Sequence, residues 1–278
     1  MKDSEVWKVS SRAVLRYINA SRYVLIVPDK EVEYFKAITP PKYEVLSEKL
    51  FVGDLKARLT KILSPKIQDR IGWYLQQFIK ISAILRNEDN EIALIWDADT
   101  VPLKHINFIN SDGKLIFYTG TEYRKSYFDF LSKSLRLSKA ENYSFIAQCL
   151  PVKVYWVRNM CKDFAGGYWS EWVDRVLSQL DVNEPAGFSE YESIGTYVSH
   201  HYRNEFELSH KKWYRNGMKL VGDPSTLSRH TFLGLAKHYD YISFEGWDRV
   251  RGFRSLLKIK IRRIKYCLMG CLLYTSPS

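Results

Sequence analysis

The chain has 278 residues, enough for one large domain or two small ones with a substantial core. Its 46% hydrophobic and 26% charged residues exclude a disordered or collagen-like chain. The net charge of +11 is not spread evenly: eight basic side chains and no acid lie between Arg249 and Lys265, and without them the balance falls to +3.

Residues 4–20 carry Val6, Val9, Ala13 and Tyr17 on one helical stripe, widened by Val14 and Ile18. Tyr23–Val27 is an apolar strand stopped by Pro28-Asp29, followed by a short helix over 29–38, the Pro40-Pro41 break and a strand at 43–46. The stretch from there to Lys66 has no clear pattern. Residues 69–86 then form a strong helix, with Ile71, Tyr74, Leu75, Phe78, Ser82 and Leu85 on one face and Trp73, Gln77 and Lys80 on the other. Residues 91–96 read as a strand ending in Asp97-Ala98-Asp99. Further on, 115–118 and 152–157 read as strands, and 126–137, 169–180 and 193–200 as helices. This alternation predicts an α/β fold with a mostly parallel central sheet in a single domain over 1–248, followed by a basic tail over 249–278.

Both ends depart from the usual α/β pattern. Such folds normally open with a buried strand that helps bind the ligand, whereas this chain opens with a helix. Either the first strand lies elsewhere or the domain lacks its true start. At the other end, MGCLLYTSPS (269–278) breaks the basic helical pattern and resembles a read-through or cloning scar. The four cysteines (Cys149, Cys161, Cys267, Cys271) lack zinc-ligand spacing and suit a reducing compartment. With no apolar run long enough to span a membrane and no secretion signal, a cytoplasmic protein is expected.

The stretch IALIWDADTVPL is the most informative. A run of apolar residues ends in two carboxylates, and ligands of open α/β sheets bind at such strand ends. Spaced i and i+2 on extended backbone, Asp97 and Asp99 would point the same way and serve one cation, Mg²⁺ or Mn²⁺, that neutralises a diphosphate leaving group. The plain alternative is a polar turn capping a strand. A second alternative is a haloacid-dehalogenase phosphatase, because Asp97-Ala98-Asp99-Thr100-Val101 fits DxDx[TV], with the first Asp as nucleophile and the second as acid/base. That class places its motif at the domain's start and needs later acidic residues, for which Gly222-Asp223 is the nearest candidate.

Three blocks in order, GWYLQQFIKI (72–81), IWDADTVPL (95–103) and FSEYESIGTYV (188–198), resemble a bacterial glycosyltransferase-like family of GT-A, Rossmann-like fold, long catalogued only as a domain of unknown function. The resemblance covers residues 5–245. It implies a metal-dependent glycosyltransferase of a cell-envelope or capsule pathway, moving a sugar from a nucleotide-sugar donor to a glycan or lipid-linked acceptor. It further implies that Asp97 and Asp99 hold the metal and the diphosphate, and that Gln77 and Lys80 lie on the nucleotide side. A non-catalytic sugar- or membrane-binding relative is the alternative from a different class.

An inverting transferase needs a carboxylate to take the acceptor's proton. Ser189-x-x-Glu192 reads as a capping box, which would occupy Glu192 and leave Glu190 in the first helical turn, ionised by the helix dipole, as the preferred base. His200, His201, His210 and His230 are candidates for a further metal ligand, and Trp169, Trp172, Trp213, Tyr214 and Trp247 for sugar stacking against the commoner role of core packing. In the basic tail, Phe253, Leu257, Ile261 and Ile264 recur at helical spacing among the cations. Such a helix either lies on an anionic membrane, here the inner face of the cell membrane, or packs on the domain with a solvated basic face. No segment resembles a nucleic-acid-binding module.

Overall fold

The computed structural model describes residues 4–248 and 252–271. Arg249, Val250 and Arg251 of the expected basic helix, the side chain of Phe253, and residues 272–278 lie outside the described set. In chain order the elements are α1 (Ser4–Tyr17), β1 (Tyr23–Val27), α2 (Val32–Ile38), β2 (Tyr43–Ser47), α3 (Lys49–Val52), α4 (Leu55–Ile62), α5 (Ile71–Ile84), β3 (Ile92–Trp96) and β4 (Thr100–Pro102). They continue with β5 (Leu115–Phe117), α6 (Lys125–Leu135), β6 (Cys149–Lys153), α7 (Val154–Ala165), α8 (Trp172–Gln179) and α9 (Glu190–His201). The last are β7 (Phe206–Leu208), α10 (Gly217–Val221), α11 (Arg229–Ala236), β8 (Tyr241–Ser243) and α12 (Phe253–Cys271).

The fold is α/β, but the expected central sheet is not what the described strands build. They pair two by two, β1 with β2, β3 with β6, β4 with β8 and β5 with β7. The β4–β8 pair is antiparallel and the β5–β7 pair parallel. The reason is visible in β3, which the sequence marks as a buried strand: only Ile95 is buried, and Ile92 is exposed. A strand flanked by helices on both faces would bury nearly every side chain.

The chain divides into two compact units. One comprises Met1–Val45, Trp96–Asn107 and His210–Ser278, the other Leu46–Ile95 and Phe108–Ser209. In the first unit, Val6 of α1 joins Val101, Leu103, Met218, Leu235 and Phe244 in one core cluster. Trp7 packs instead with Leu25, Val27 and Phe35, and its indole N–H donates to Thr39 Oγ1 at 2.8 Å. The C-terminal α12 belongs to this unit and lies against α11 at backbone contact. A methyl group on Gly234 would run into the Tyr266 carbonyl, and one on Gly270 into the His230 carbonyl. The helix therefore runs on through Met269-Gly270-Cys271, where the sequence suggested a broken pattern.

In the second unit the centre is α9, buried at every position from Glu190 to Ser199. Its Gly195 accepts the ring of Phe145, which a Cβ would strike. Phe78 of α5 stacks on Trp172 at 5.4 Å and meets Phe188 at 5.5 Å. In the β5–β7 pair, Phe117 stacks on Phe206 at 4.6 Å. The strand expected at 152–157 is replaced after Lys153 by α7. There Val154, Val157, Cys161 and Phe164 fall on one buried helical face, and that burial outweighs the strand propensity of the β-branched residues.

Candidate functional site

Asp97 and Asp99 belong to the first unit. They do not continue the pleat of β3: the Thr100 N–H donates to the Asp97 carbonyl at 2.9 Å, closing a tight turn. The expectation of two carboxylates aligned on extended backbone is thus corrected to two carboxylates on a turn. Both are half-buried and Ala98 between them is exposed. The far side of the turn is fixed by β8. The Phe244 N–H donates to the Asp99 carbonyl at 2.9 Å, and Ser243 Oγ lies 3.4 Å from Asp99 Oδ1. Behind it, Thr100 Oγ1 donates to Ser243 Oγ at 3.1 Å, with both residues fully buried. Trp96 closes the turn by donating its indole N–H to the Thr100 carbonyl at 2.9 Å.

The segment after β8 is rich in charge. Arg215 pairs with Glu245 at 2.6 Å, and Lys219 with the buried Asp248 at 3.1 Å. Both cations also lie over the exposed Trp247 indole, at 5.9 and 5.1 Å from the ring centre. Among the described residues no three His, Cys, Asp or Glu side chains group to hold a metal by themselves. Asp97 and Asp99 are oxygen donors of the type that Mg²⁺ or Mn²⁺ takes, since such hard cations commonly bind one or two protein carboxylates and complete their shell with water and substrate phosphate.

Gln77, Lys80, Glu190 and Glu192 belong to the second unit, and the structure brings the first three together. The Glu190 side chain is 1% exposed, and its Oε1 lies 2.7 Å from Lys80 Nζ, so it does have a structural duty. Lys80 also sits over the Tyr191 ring at 4.5 Å. Gln77, expected on an open face, is buried. Its Oε1 accepts the Glu190 N–H at 3.3 Å and its amide donates to the Trp73 carbonyl at 3.1 Å. The polar residues of α5 thus hold the start of α9 and satisfy one of its unpaired N–H groups.

The capping box is half present. Ser189 Oγ accepts the Glu192 N–H at 3.3 Å, but the Glu192 carboxylate does not reach back to the Ser189 backbone. It takes a hydrogen bond from Ser144 Oγ instead, and its second oxygen is buried without a partner. Burial raises its pKa above the usual carboxylate range, against the opposing pull of the Ser144 hydroxyl, the Lys139 charge and the Phe145 N–H. Ser144 also lines a cavity of about 300 Å³, walled by Glu122, Tyr123, Lys139, Glu141 and Asn142. Tyr74, read from the sequence as an apolar contact, clamps the loop before α9: its hydroxyl donates to the Glu184 carbonyl at 2.5 Å and accepts the Gly187 N–H at 2.7 Å. Burial pushes the Tyr74 pKa up to about 12.

The remaining candidates divide between the units. His200 Nε2 lies 3.0 Å from the Ser138 carbonyl, and His201 packs on the Tyr197 ring at 4.3 Å, whereas His210 and His230 belong to the first unit. Trp172 is core, Trp213 stacks on Tyr241 at 5.5 Å, and Trp169 and Trp247 keep exposed rings. Asp223, the acidic residue a phosphatase would need, caps the turn at Pro224–Thr226, accepting the Ser225 N–H at 2.9 Å and its hydroxyl at 2.7 Å. Sequence reasoning missed Ser144 and Ser243, which stand in no motif, and the hydroxyl of Tyr74, which it placed only on an apolar face. A model of a family of unknown function, DUF6492, matches residues 10–239. No curated protein matches the chain.

Proposed function

We propose that this chain, which belongs to the family of unknown function DUF6492, is a metal-dependent glycosyltransferase with a GT-A-like core. It would use a nucleotide-sugar donor and a glycan or lipid-linked acceptor of the bacterial cell envelope or capsule. The reading rests on the turn Asp97-Ala98-Asp99: its backbone is fixed by Thr100 and Phe244, and both aspartates are half-buried rather than sealed in the core.

In this reading Asp97 and Asp99 hold Mn²⁺ or Mg²⁺ through oxygen ligands. When bound, the metal supplies charge neutralisation to a departing nucleoside diphosphate. The carboxylates at the start of α9, Glu190 and Glu192, belong to the second unit. There Glu190 already faces Lys80, whereas Glu192 has an unsatisfied oxygen, a raised pKa and, through Ser144, a link to a polar cavity, which makes Glu192 the better proton acceptor of the two. Gln77 and Lys80, expected on the nucleotide side, also belong to the second unit, where Gln77 is bonded at both ends of its amide and Lys80 pairs with Glu190.

Calorimetry with uridine, guanosine and cytidine diphosphates, with and without Mn²⁺, tests the assignment. At least one should bind only in the presence of the metal, and Asp99→Asn should lose that binding while the protein stays folded. Unchanged affinity in Asp99→Asn, or no metal-dependent binding of any diphosphate, would remove the donor site. Phosphate release from p-nitrophenyl phosphate that depends on Asp97 would replace the proposal by the phosphatase reading.

A further inference from the structure

The basic helix α12 presents two different faces. Toward the first unit it turns Ile259, which is buried, together with Arg262 and Arg263. Arg262 Nη1 donates to the Lys219 carbonyl at 2.9 Å, and Arg263 Nη2 to Thr226 Oγ1 at 2.9 Å. Arg263 Nε also donates to the Val221 carbonyl, and Gly270 meets the backbone of α11. Two of the cations that made the sequence look like a simple basic tail are therefore spent as hydrogen-bond donors to the domain.

Away from the unit the helix shows an apolar stripe. Leu257, Ile261, Ile264 and Leu268 are 48%, 59%, 61% and 61% exposed, and their spacing of four, three and four residues places them on one line along the helix. At about 100° per residue, Arg254, Lys258 and Lys265 border the stripe on one side and Lys260 on the other. All four cations are exposed, and among the described residues none pairs with a carboxylate. The helix itself has no acidic residue.

We infer that this outer face of α12 binds the surface of an anionic lipid bilayer, lying parallel to it. The stripe supplies apolar side chains for the boundary between headgroups and acyl chains, and the bordering cations meet lipid phosphates at the height of the headgroups. Insertion across the membrane is not part of the inference: no described helix is long and apolar enough to cross one. A second copy of the helix fits poorly as occupant, because stacking two such faces would crowd the bordering cations of both copies together. Nucleic acid would satisfy the cations but leave the four apolar side chains between them without a partner. The inference does not depend on the proposed activity.

Co-sedimentation of the full chain with vesicles tests it. Binding to phosphatidylcholine vesicles containing phosphatidylglycerol should exceed binding to pure phosphatidylcholine, and should weaken as salt rises. The variant Ile261→Gln/Ile264→Gln keeps every charge and should bind the anionic vesicles at least about tenfold more weakly. Lys258→Gln/Lys260→Gln/Lys265→Gln should lose most of the salt dependence. All five side chains are exposed, so the thermal unfolding of both variants should match the parent, and a vesicle result counts only for variants that do. The inference is overturned if the parent ignores anionic vesicles at low salt, or if the isoleucine variant binds them as the parent does. It is also overturned if sedimentation velocity shows a dimer that the isoleucine variant abolishes, or if the parent binds duplex DNA and the isoleucine variant binds it equally well while both ignore vesicles.

Discussion

Asp97 and Asp99 form one acidic pair separated by a single residue, and Glu190 and Glu192 form another. The first pair stands on a tight turn and is half-buried; the second opens a helix that is buried at every position from Glu190 to Ser199. Glu190 is matched by Lys80, whereas Glu192 has only a hydroxyl, a backbone N–H and a more distant charge to offset its burial. The same spacing therefore carries different physics. Carboxylates at the surface of a turn keep enough solvent to exchange water for a cation. Carboxylates in a core must find their partners within the protein or give up their charge.

The contrast can be broken at its buried end first. Gly195→Ala should cost about 3 kcal/mol of stability, because the added methyl group would strike the ring of the buried Phe145. Urea unfolding measures it. Lys80→Met should follow at about 2 kcal/mol, since it leaves Glu190 buried opposite an apolar chain; the figure is below that of a fully buried pair because the ammonium keeps some solvent. Pairing it with Glu190→Gln in a double-mutant cycle should recover part of the loss.

Glu192 predicts a slope rather than a single number. Its pKa is raised in the folded protein, so between the ordinary carboxylate value and the raised one the folded state holds a proton that the unfolded state has lost. Its contribution is therefore fully present in acid and is lost as the pH rises through that window. Glu192→Gln should flatten this decline, read as the urea midpoint across the acidic to neutral range. The smallest effect belongs to the exposed pair: Asp97→Asn and Asp99→Asn should each change stability by about 0.5 kcal/mol or less. A loss of folding in either would show that the turn, too, depends on its charges.

Local order was legible in the sequence wherever it depended on neighbours. Tyr23–Val27 emerged from its apolar run and the proline that ends it, and α5 from its periodic face. The patternless stretch after β2 hid α3 and α4, in which only Leu55 and Leu59 are buried and little periodicity arises. In the site, the carboxylates could be found as residue types, but their surroundings could not. Lys80 and Glu190 are separated by 110 residues, and Ser144 and Glu192 by 48. Nothing local in Ser189-Glu190-Tyr191-Glu192 tells which carboxylate pairs with a cation and which is left with an unsatisfied oxygen, because each outcome is decided by a distant chain segment. That the described strands pair two by two has the same origin, since an apolar run announces a strand but not how many strands will pair beside it.

The glycine contacts between α11 and α12 work like a key in a keyway. With Gly234 set against the Tyr266 carbonyl and Gly270 against that of His230, α12 can neither roll about its own axis nor slide along α11 without driving one backbone into the other. Whatever grips the outer stripe of that helix consequently grips the whole first unit, including the turn that carries Asp97 and Asp99, at one set attitude.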